Sequence, residues 1–216
     1  MAKLNSITKL TDNKFLNLYE TNFTNEVTSK DFNYFIASRR KEEELACITK
    51  DHSKCDAVMI VPVTNSGELY LIKQYRPAIG DYILECPAGL VDPNENIINT
   101  ASRELFEETG LKATEMVQML PACYTSAGMS DETVAIYVAN VTGSEPTTEN
   151  KEENEDIEIV KFSPEDFVDI VNGKHGLVAI KTALIINSLS VVNMMEALVA
   201  DLKAMAEEVA AKEENK

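Results

Sequence analysis

The run from Ile97 to Thr109 constrains the fold more than any other stretch of this 216-residue chain. Asn96 ahead of it can cap a helix, and Gly110 behind it can take the left-handed conformation that ends one. Ile97, Ala101 and Leu105 recur every four residues and form one apolar stripe, so this helix must lie against something. The neighbouring sequence supplies strands. Ala57–Val63 (AVMIVPV) and Glu68–Gln74 (ELYLIKQ) flank Asn65-Ser66-Gly67, a hairpin with small residues where positive φ is needed. Tyr82–Cys86, Thr133–Val141 and Asp156–Phe162 read as further strands. A second helix opens at Ser163-Pro164-Glu165-Asp166, a cap followed by proline in the first turn. A long helix fills most of Leu177–Ala211 and runs into the charged tail Ala211–Lys216. Strands and helices interleaved in this order predict an α/β/α sandwich.

Residues 1–50 differ in character. Lys14–Phe23 and Phe32–Arg40 read as short strands separated by polar turn residues, with too few apolar side chains for a core of their own. The expected division is therefore an N-terminal β segment, 1–50, and a main domain, 51–216, with the long C-terminal helix. With 44% hydrophobic and 26% charged residues the chain can bury a core and is not disordered. Its 20 Lys+Arg against 36 Asp+Glu give a formal net charge of −16, which repels nucleic-acid backbones and anionic membrane surfaces. Cys47, Cys55, Cys86 and Cys123 form no CxxC pair. With only His52 and His175 beside them, neither a zinc site nor a disulfide scaffold is expected. The N-terminus, MAKLNSITKLTDNKF, has no continuous apolar core, so no signal peptide and a cytoplasmic location are expected. Leu177–Ala200 is long enough to span a bilayer, but Lys181, Asn187, Asn193 and Glu196 interrupt it. A buried or dimer-facing helix is the expectation there.

On the first helix, Arg103, Glu104, Glu107 and Glu108 gather on one side, with Glu104 and Glu108 at the edge of the apolar stripe. Carboxylates this close to a core repel one another unless a cation sits among them. Arg103 can pair with Glu107 one turn on, yet one arginine cannot neutralise three acids. A hard divalent cation with oxygen ligands can, and Mg²⁺ is the natural choice, with Mn²⁺ as the alternative. A solvated glutamate-rich face is the competing explanation, and the flanking residues decide against it. Gly89, Glu95, Arg103, Glu104, Glu107, Glu108 and Gly110 fit the pattern G-x5-E-x7-R-E-U-x-E-E-x-G-U, with Leu105 and Leu111 as the aliphatic U. At ordinary composition that match arises by chance on the order of one chain in 10⁴–10⁵.

This pattern resembles the Nudix box, and the chain resembles the Nudix hydrolases, which cleave diphosphates linked to a further moiety. The resemblance implies a Nudix-type α/β/α sandwich with a mixed sheet, preceded by the small N-terminal antiparallel β segment. It also implies metal held by Glu104, Glu107 and Glu108 with the Ala88 carbonyl, and Glu95 and Arg103 orienting the loop and the ligands. Ile72–Pro77 (IKQYRP), Leu84–Gly89 (LECPAG) and Glu152–Ile157 (EENEDI) resemble the ADP-ribose pyrophosphatase branch, in a likeness that runs from about Tyr34 to Ser188. That branch implies hydrolysis of ADP-ribose, or a related nucleoside diphosphate sugar, to AMP and ribose 5-phosphate. Arg76 would meet the diphosphate or terminal ribose, and Glu132, in Ser126–Glu132, would touch substrate near Gly128. Glu153 would be the general base, with Glu155 its rival. Arg39, Arg40, Lys73, Arg76 and Arg103 would offset the charge of an anionic substrate. Tyr34, Phe35 and Tyr75 are the aromatics open to an adenine. Relatives of this kind form dimers through an N-terminal sheet, which implies a homodimer with Tyr34–Arg40 near the partner's site. One departure stands out. The branch usually has Ser-Pro-Gly where this chain has Ser126-Ala127-Gly128, and alanine leaves that loop freer. A non-catalytic Nudix module that senses a nucleotide sugar is the alternative, but such modules usually lose box carboxylates, and all are present here.

Overall fold

The apolar stretches form strands close to where the sequence places them, in a computed structural model that describes residues 2–151 and 156–214. In chain order the first half comprises β1 (Ala2–Lys9), β2 (Asn17–Asn25), β3 (Lys30–Ser38), α1 (Ala46–Thr49), β4 (Ala57–Val63), β5 (Leu69–Arg76), β6 (Asp81–Glu85) and β7 (Ala88–Leu90). There follow α2 (Ile97–Thr109), β8 (Glu115–Tyr124), β9 (Thr133–Asn140), β10 (Ile157–Phe162), α3 (Phe167–Val171), β11 (Leu177–Val178) and α4 (Ile180–Glu214). The fold is α/β, with a small antiparallel sheet β1-β2-β3 and a mixed sheet of order β11-β6-β5-β4-β9-β8, to which β7 and β10 add through β4 and β5. Contacts divide the chain into two compact units: Met1–Ile60 with Ala88–Ser102 and Val117–Val138, and Val61–Pro87 with Arg103–Met116 and Ala139–Lys216.

In the first unit β2 is the middle strand, pairing Tyr19 with Ile36, Thr21 with Tyr34 and Phe23 with Phe32. Tyr19, Thr21 and Ser38 are buried, so one face of this small sheet is covered. The Tyr19 hydroxyl donates to the Arg40 carbonyl (3.0 Å), and the Phe23 and Phe32 rings stack at 5.7 Å. The observed strands differ from expectation at both ends: β1 was not expected, and β2 and β3 sit at Asn17–Asn25 and Lys30–Ser38 rather than Lys14–Phe23 and Phe32–Arg40. Arg40, counted among the cations available to a substrate, is instead a buried structural residue. Its Nη2 and Nε donate to the Asp56 carboxylate at 2.6 and 3.1 Å, and Asp56 also accepts the Thr133 N–H at 2.9 Å. Burial works against the Arg40 charge, but the bond and charge of Asp56 outweigh it and raise its pKa above the ordinary value.

In the second unit β5 is flanked by β10 and β6, both antiparallel, while β11 joins β6 in parallel, which makes the sheet mixed. Ser163 and Asp166 close a capping box ahead of α3, as Ser-Pro-Glu-Asp predicts. Gly110 ends α2 at φ +69°, where a Cβ would stand 2.3 Å from Thr147 Cγ2 and 2.8 Å from the Thr147 backbone N. Only glycine fits that position. Helix α4 is 35 residues long. Its buried residues Thr182, Ile186 and Ser190 lie four apart on one face, and Thr182 Oγ1 accepts the Cys86 N–H at 2.9 Å. The expected burial of this helix stops there: Ile180–Ala200 is long and apolar enough to cross a membrane by length and composition, and most of it is exposed.

Candidate active site

Helix α2 does what its sequence dictates. Asn96 Oδ1 accepts the Ile98 N–H at 3.1 Å, satisfying one of the orphan donors of the first turn. Ala101 and Leu105 are fully buried, and that anchors the acidic side. Glu108 is only 2% exposed and the Glu104 side chain 12%, so two of the three box acids are drawn toward the core. Arg103 Nη1 donates to Glu104 Oε1 at 2.7 Å and to Glu107 Oε2 at 2.9 Å. One guanidinium nitrogen thus holds two carboxylates, a wider role than the single Glu107 pair the spacing suggests.

All three donors are hard carboxylate oxygens on one helix, which suits Mg²⁺ or Mn²⁺ in chemistry. Among the described residues, no three His, Cys, Asp or Glu side chains are grouped to hold a metal ion as they stand. Arg103 occupies two of the candidate ligands, and Glu153 and Glu155 lie outside the described residues. Glu95, read as an orienting residue, accepts the Thr100 hydroxyl at 2.8 Å. Ala88 lies in β7, paired with Met59 of β4.

Elsewhere in the second unit Arg76 ends β5, and its Nε donates to Glu85 Oε2 at 2.7 Å. Glu85 is the neighbour of Arg76 that residue-by-residue reading overlooks, since nothing in LECPAG singles it out before the β5–β6 hairpin closes. Tyr75 and Tyr82 face each other across that hairpin, edge to face at 5.4 Å, and the Lys73 ammonium lies 5.7 Å from the centre of the Tyr82 ring. The Tyr82 hydroxyl donates to Asp156, which pushes its pKa up.

The first unit assembles a different group. Arg39 Nε donates to Glu132 Oε2 at 3.0 Å, and the Tyr34 hydroxyl donates to the Gly128 carbonyl. The Ala37 N–H donates to the Met129 carbonyl at 2.9 Å. All four expected substrate contacts of this unit, Tyr34, Arg39, Gly128 and Glu132, are therefore brought together where β3 meets the loop after β8. A cavity of about 270 Å³ opens beside them, lined by Phe23, Tyr34, Tyr124, Ala127, Met129 and Asp131 among others. Ala127 lies on its wall.

Comparison with known proteins agrees with this geometry. A family model described as the NUDIX domain matches residues 53–179. An ADP-ribose pyrophosphatase of Bacillus subtilis is 33% identical over 141 residues, 65% of this chain and 75% of that protein. An ADP-sugar pyrophosphatase of Mus musculus is 36% identical over 110 residues, about half of each chain. The crystal structure of an ADP compounds hydrolase superposes with a TM-score of 0.63 at 21% identity, covering 79% of this chain and 83% of that one, a likeness of fold. A complete box on a capped helix and a family model that matches more than half of the chain lead to one conclusion: the chain belongs to the Nudix family of hydrolases.

Proposed function

We propose that this Nudix pyrophosphohydrolase cleaves the diphosphate bond of ADP-ribose, giving AMP and ribose 5-phosphate, or that of a closely related nucleoside diphosphate sugar, with Mg²⁺ as its metal. The observation that carries the proposal is the pair of half-buried and buried glutamates on α2, Glu104 and Glu108, with Arg103 bonding Glu104 to Glu107 beside them. Glu104, Glu107 and Glu108 would hold the ion, with the Ala88 carbonyl added from the sequence pattern. When bound, the ion would neutralise the diphosphate and lower the pKa of a water. Arg103 would keep the carboxylates in place, and Arg76 would meet the substrate's negative charge, exchanging Glu85 for phosphate. Glu153, or its rival Glu155, would take the proton from the attacking water. Tyr34, Phe35 and Tyr75, all exposed, are the alternative aromatics proposed to meet the adenine. The names of the relatives support the substrate class, and IKQYRP, LECPAG and EENEDI in order support the branch.

A cytoplasmic homodimer completes the proposal. Phe15 and Phe35 are large exposed apolar side chains beside and in the β1-β2-β3 sheet, and Phe35 stands on the face opposite Tyr19 and Thr21, a surface suited to a second copy. The deciding assay incubates the purified chain with Mg²⁺ and a panel of nucleoside diphosphate compounds and follows nucleotide release. ADP-ribose should give AMP with the highest kcat/KM. A tenfold higher kcat/KM for GDP-mannose or a dinucleoside polyphosphate, about 1.4 kcal/mol in transition-state binding, would overturn the substrate.

A further inference from the structure

Helix α4 keeps one face for its own unit and leaves the other bare. Along the bare face, Leu184, Ser188, Val191, Met195, Leu198, Leu202 and Met205 follow one another at alternating spacings of four and three residues. Every one of these side chains is exposed, Met195 at 62%, Leu198 at 58% and Leu202 at 57%. A strict 3.5-residue repeat over three turns of seven is the pattern of a helix that meets another helix knobs-into-holes. Val192, Met194 and Val199 widen the stripe on either side, and all are exposed. We propose that this face of α4 is the docking surface for α4 of a second copy of the chain, an interface separate from the N-terminal sheet.

Three observations point to a second copy. The first is self-complementarity: a 3.5-residue stripe fits best against a helix of the same repeat, and this chain supplies one. The second is charge. Each copy carries −16, but between Lys181 and Asp201 the only charged residue of α4 is Glu196, which lies outside the stripe, so two copies can close this face without acid meeting acid. The third is size. From Leu184 to Met205 the stripe is about 33 Å long, and it covers somewhat under half the circumference of a helix about 10–12 Å across. That is about 500 Å² per chain, or about 1,000 Å² when two copies cover each other, at the lower bound for a specific interface. A lipid occupant fits less well. Thr182, Ile186 and Ser190 hold the opposite face of the same helix buried against protein, and a lipid-surrounded span would have to give up that packing.

The test uses the full chain in sedimentation equilibrium at micromolar concentrations, with Leu198→Glu/Leu202→Glu and Ser188→Leu as opposed perturbations. The double variant should self-associate at least tenfold more weakly while its circular dichroism stays that of the parent, because both side chains are exposed. Ser188→Leu replaces the polar member of the stripe, whose hydroxyl donates to the Leu184 carbonyl within the same helix (2.8 Å), and should tighten association. The second variant keeps the proposal exposed to failure even if the first misfolds. A parent chain that stays monomeric, association constants unchanged in both variants, or a monomeric parent that co-sediments with neutral phosphatidylcholine vesicles would each overturn it. An N-terminal dimer alone would be recognised by both α4 variants associating as the parent does.

Discussion

Replacing Glu104 by Gln separates what the box does for the fold from what it does for chemistry. Glutamine keeps an acceptor for the 2.7 Å bond from Arg103 Nη1, so the bond survives and only its charge assistance goes, a loss of about 1 kcal/mol. Against this, the change removes like-charge repulsion toward Glu107 and Glu108, three and four residues on, worth about 0.2–0.5 kcal/mol each. The two effects nearly cancel, and the apo protein should change by less than about 1 kcal/mol, or about 2–4 °C in Tm for a chain of this size. Function should not survive as well. A metal ligand missing from the transition state should lower kcat/KM at least a hundredfold, about 2.7 kcal/mol, measured as AMP released from ADP-ribose in Mg²⁺. A second readout needs no turnover. Mg²⁺ at about a hundred times its Kd stabilises a protein that binds it only when folded by about 2.7 kcal/mol, so the parent's Tm should rise on adding Mg²⁺ and the variant's rise should be far smaller. Turnover near that of the parent, together with an undiminished Mg²⁺ shift, would refute the assignment of Glu104 as a ligand.

Comparing Glu153→Gln with Glu155→Gln in the same assay should show the larger kcat loss at Glu153, and the reverse order would make Glu155 the base. Arg40→Leu strips the cation from a carboxylate whose side chain is 7% exposed, and should cost about 3–5 kcal/mol in urea unfolding; a loss below about 1 kcal/mol would show the Asp56 pair to be dispensable. Burial pushes the Cys86 thiol up to about 12, so at neutral pH it holds almost no thiolate and should resist alkylation in the folded protein, while exposed Cys123 labels first; rapid labelling of Cys86 would contradict its burial.

Local spacing made the box helix readable to the residue, because its cap, its stripe and its left-handed stop all lie within a span of sixteen positions, Asn96 to Leu111. The core strands β4, β5, β9 and β10 were nearly as clear, being apolar runs between turns. Four strands were not, β1, β7, β8 and β11, and the first and third show why. β1, AKLNSITK, has no buried residue and so shows no apolar face. β8, EMVQMLPACY, contains Pro121, which argues against a central strand; it lies at the end of the sheet order, where a missing N–H is tolerated. The site divides the same way. Glu104, Glu107 and Arg103 meet through helix spacing, which sequence displays, whereas Arg76 meets Glu85 and Arg39 meets Glu132 only once strands pair. Arg40 shows the limit: its sequence neighbourhood reads as surface charge, and only the fold buries it on Asp56.

The loop after β8 can be understood in the same physical terms. Proline at position 127 would narrow the unfolded ensemble and fix the loop through the chain itself. This chain has alanine there and ties the loop from outside. The Ala37 N–H bonds Met129, the Tyr34 hydroxyl bonds Gly128, and Arg39 pairs with Glu132, so three residues of one short stretch reach three of the loop. Within the loop the Ser126 carbonyl accepts both the Met129 and Ser130 N–H groups at 2.9 Å, closing a turn that needs no proline. Order imposed by tertiary bonds costs entropy that proline would have removed beforehand, but it places control elsewhere. The shape of this wall of the 270 Å³ cavity depends on where β3 lies, and β3 belongs to the same sheet whose exposed aromatics are proposed to meet a second copy. On the proposed reading, substrate selectivity and N-terminal assembly would be coupled through one strand, and a change in either should be felt by the other.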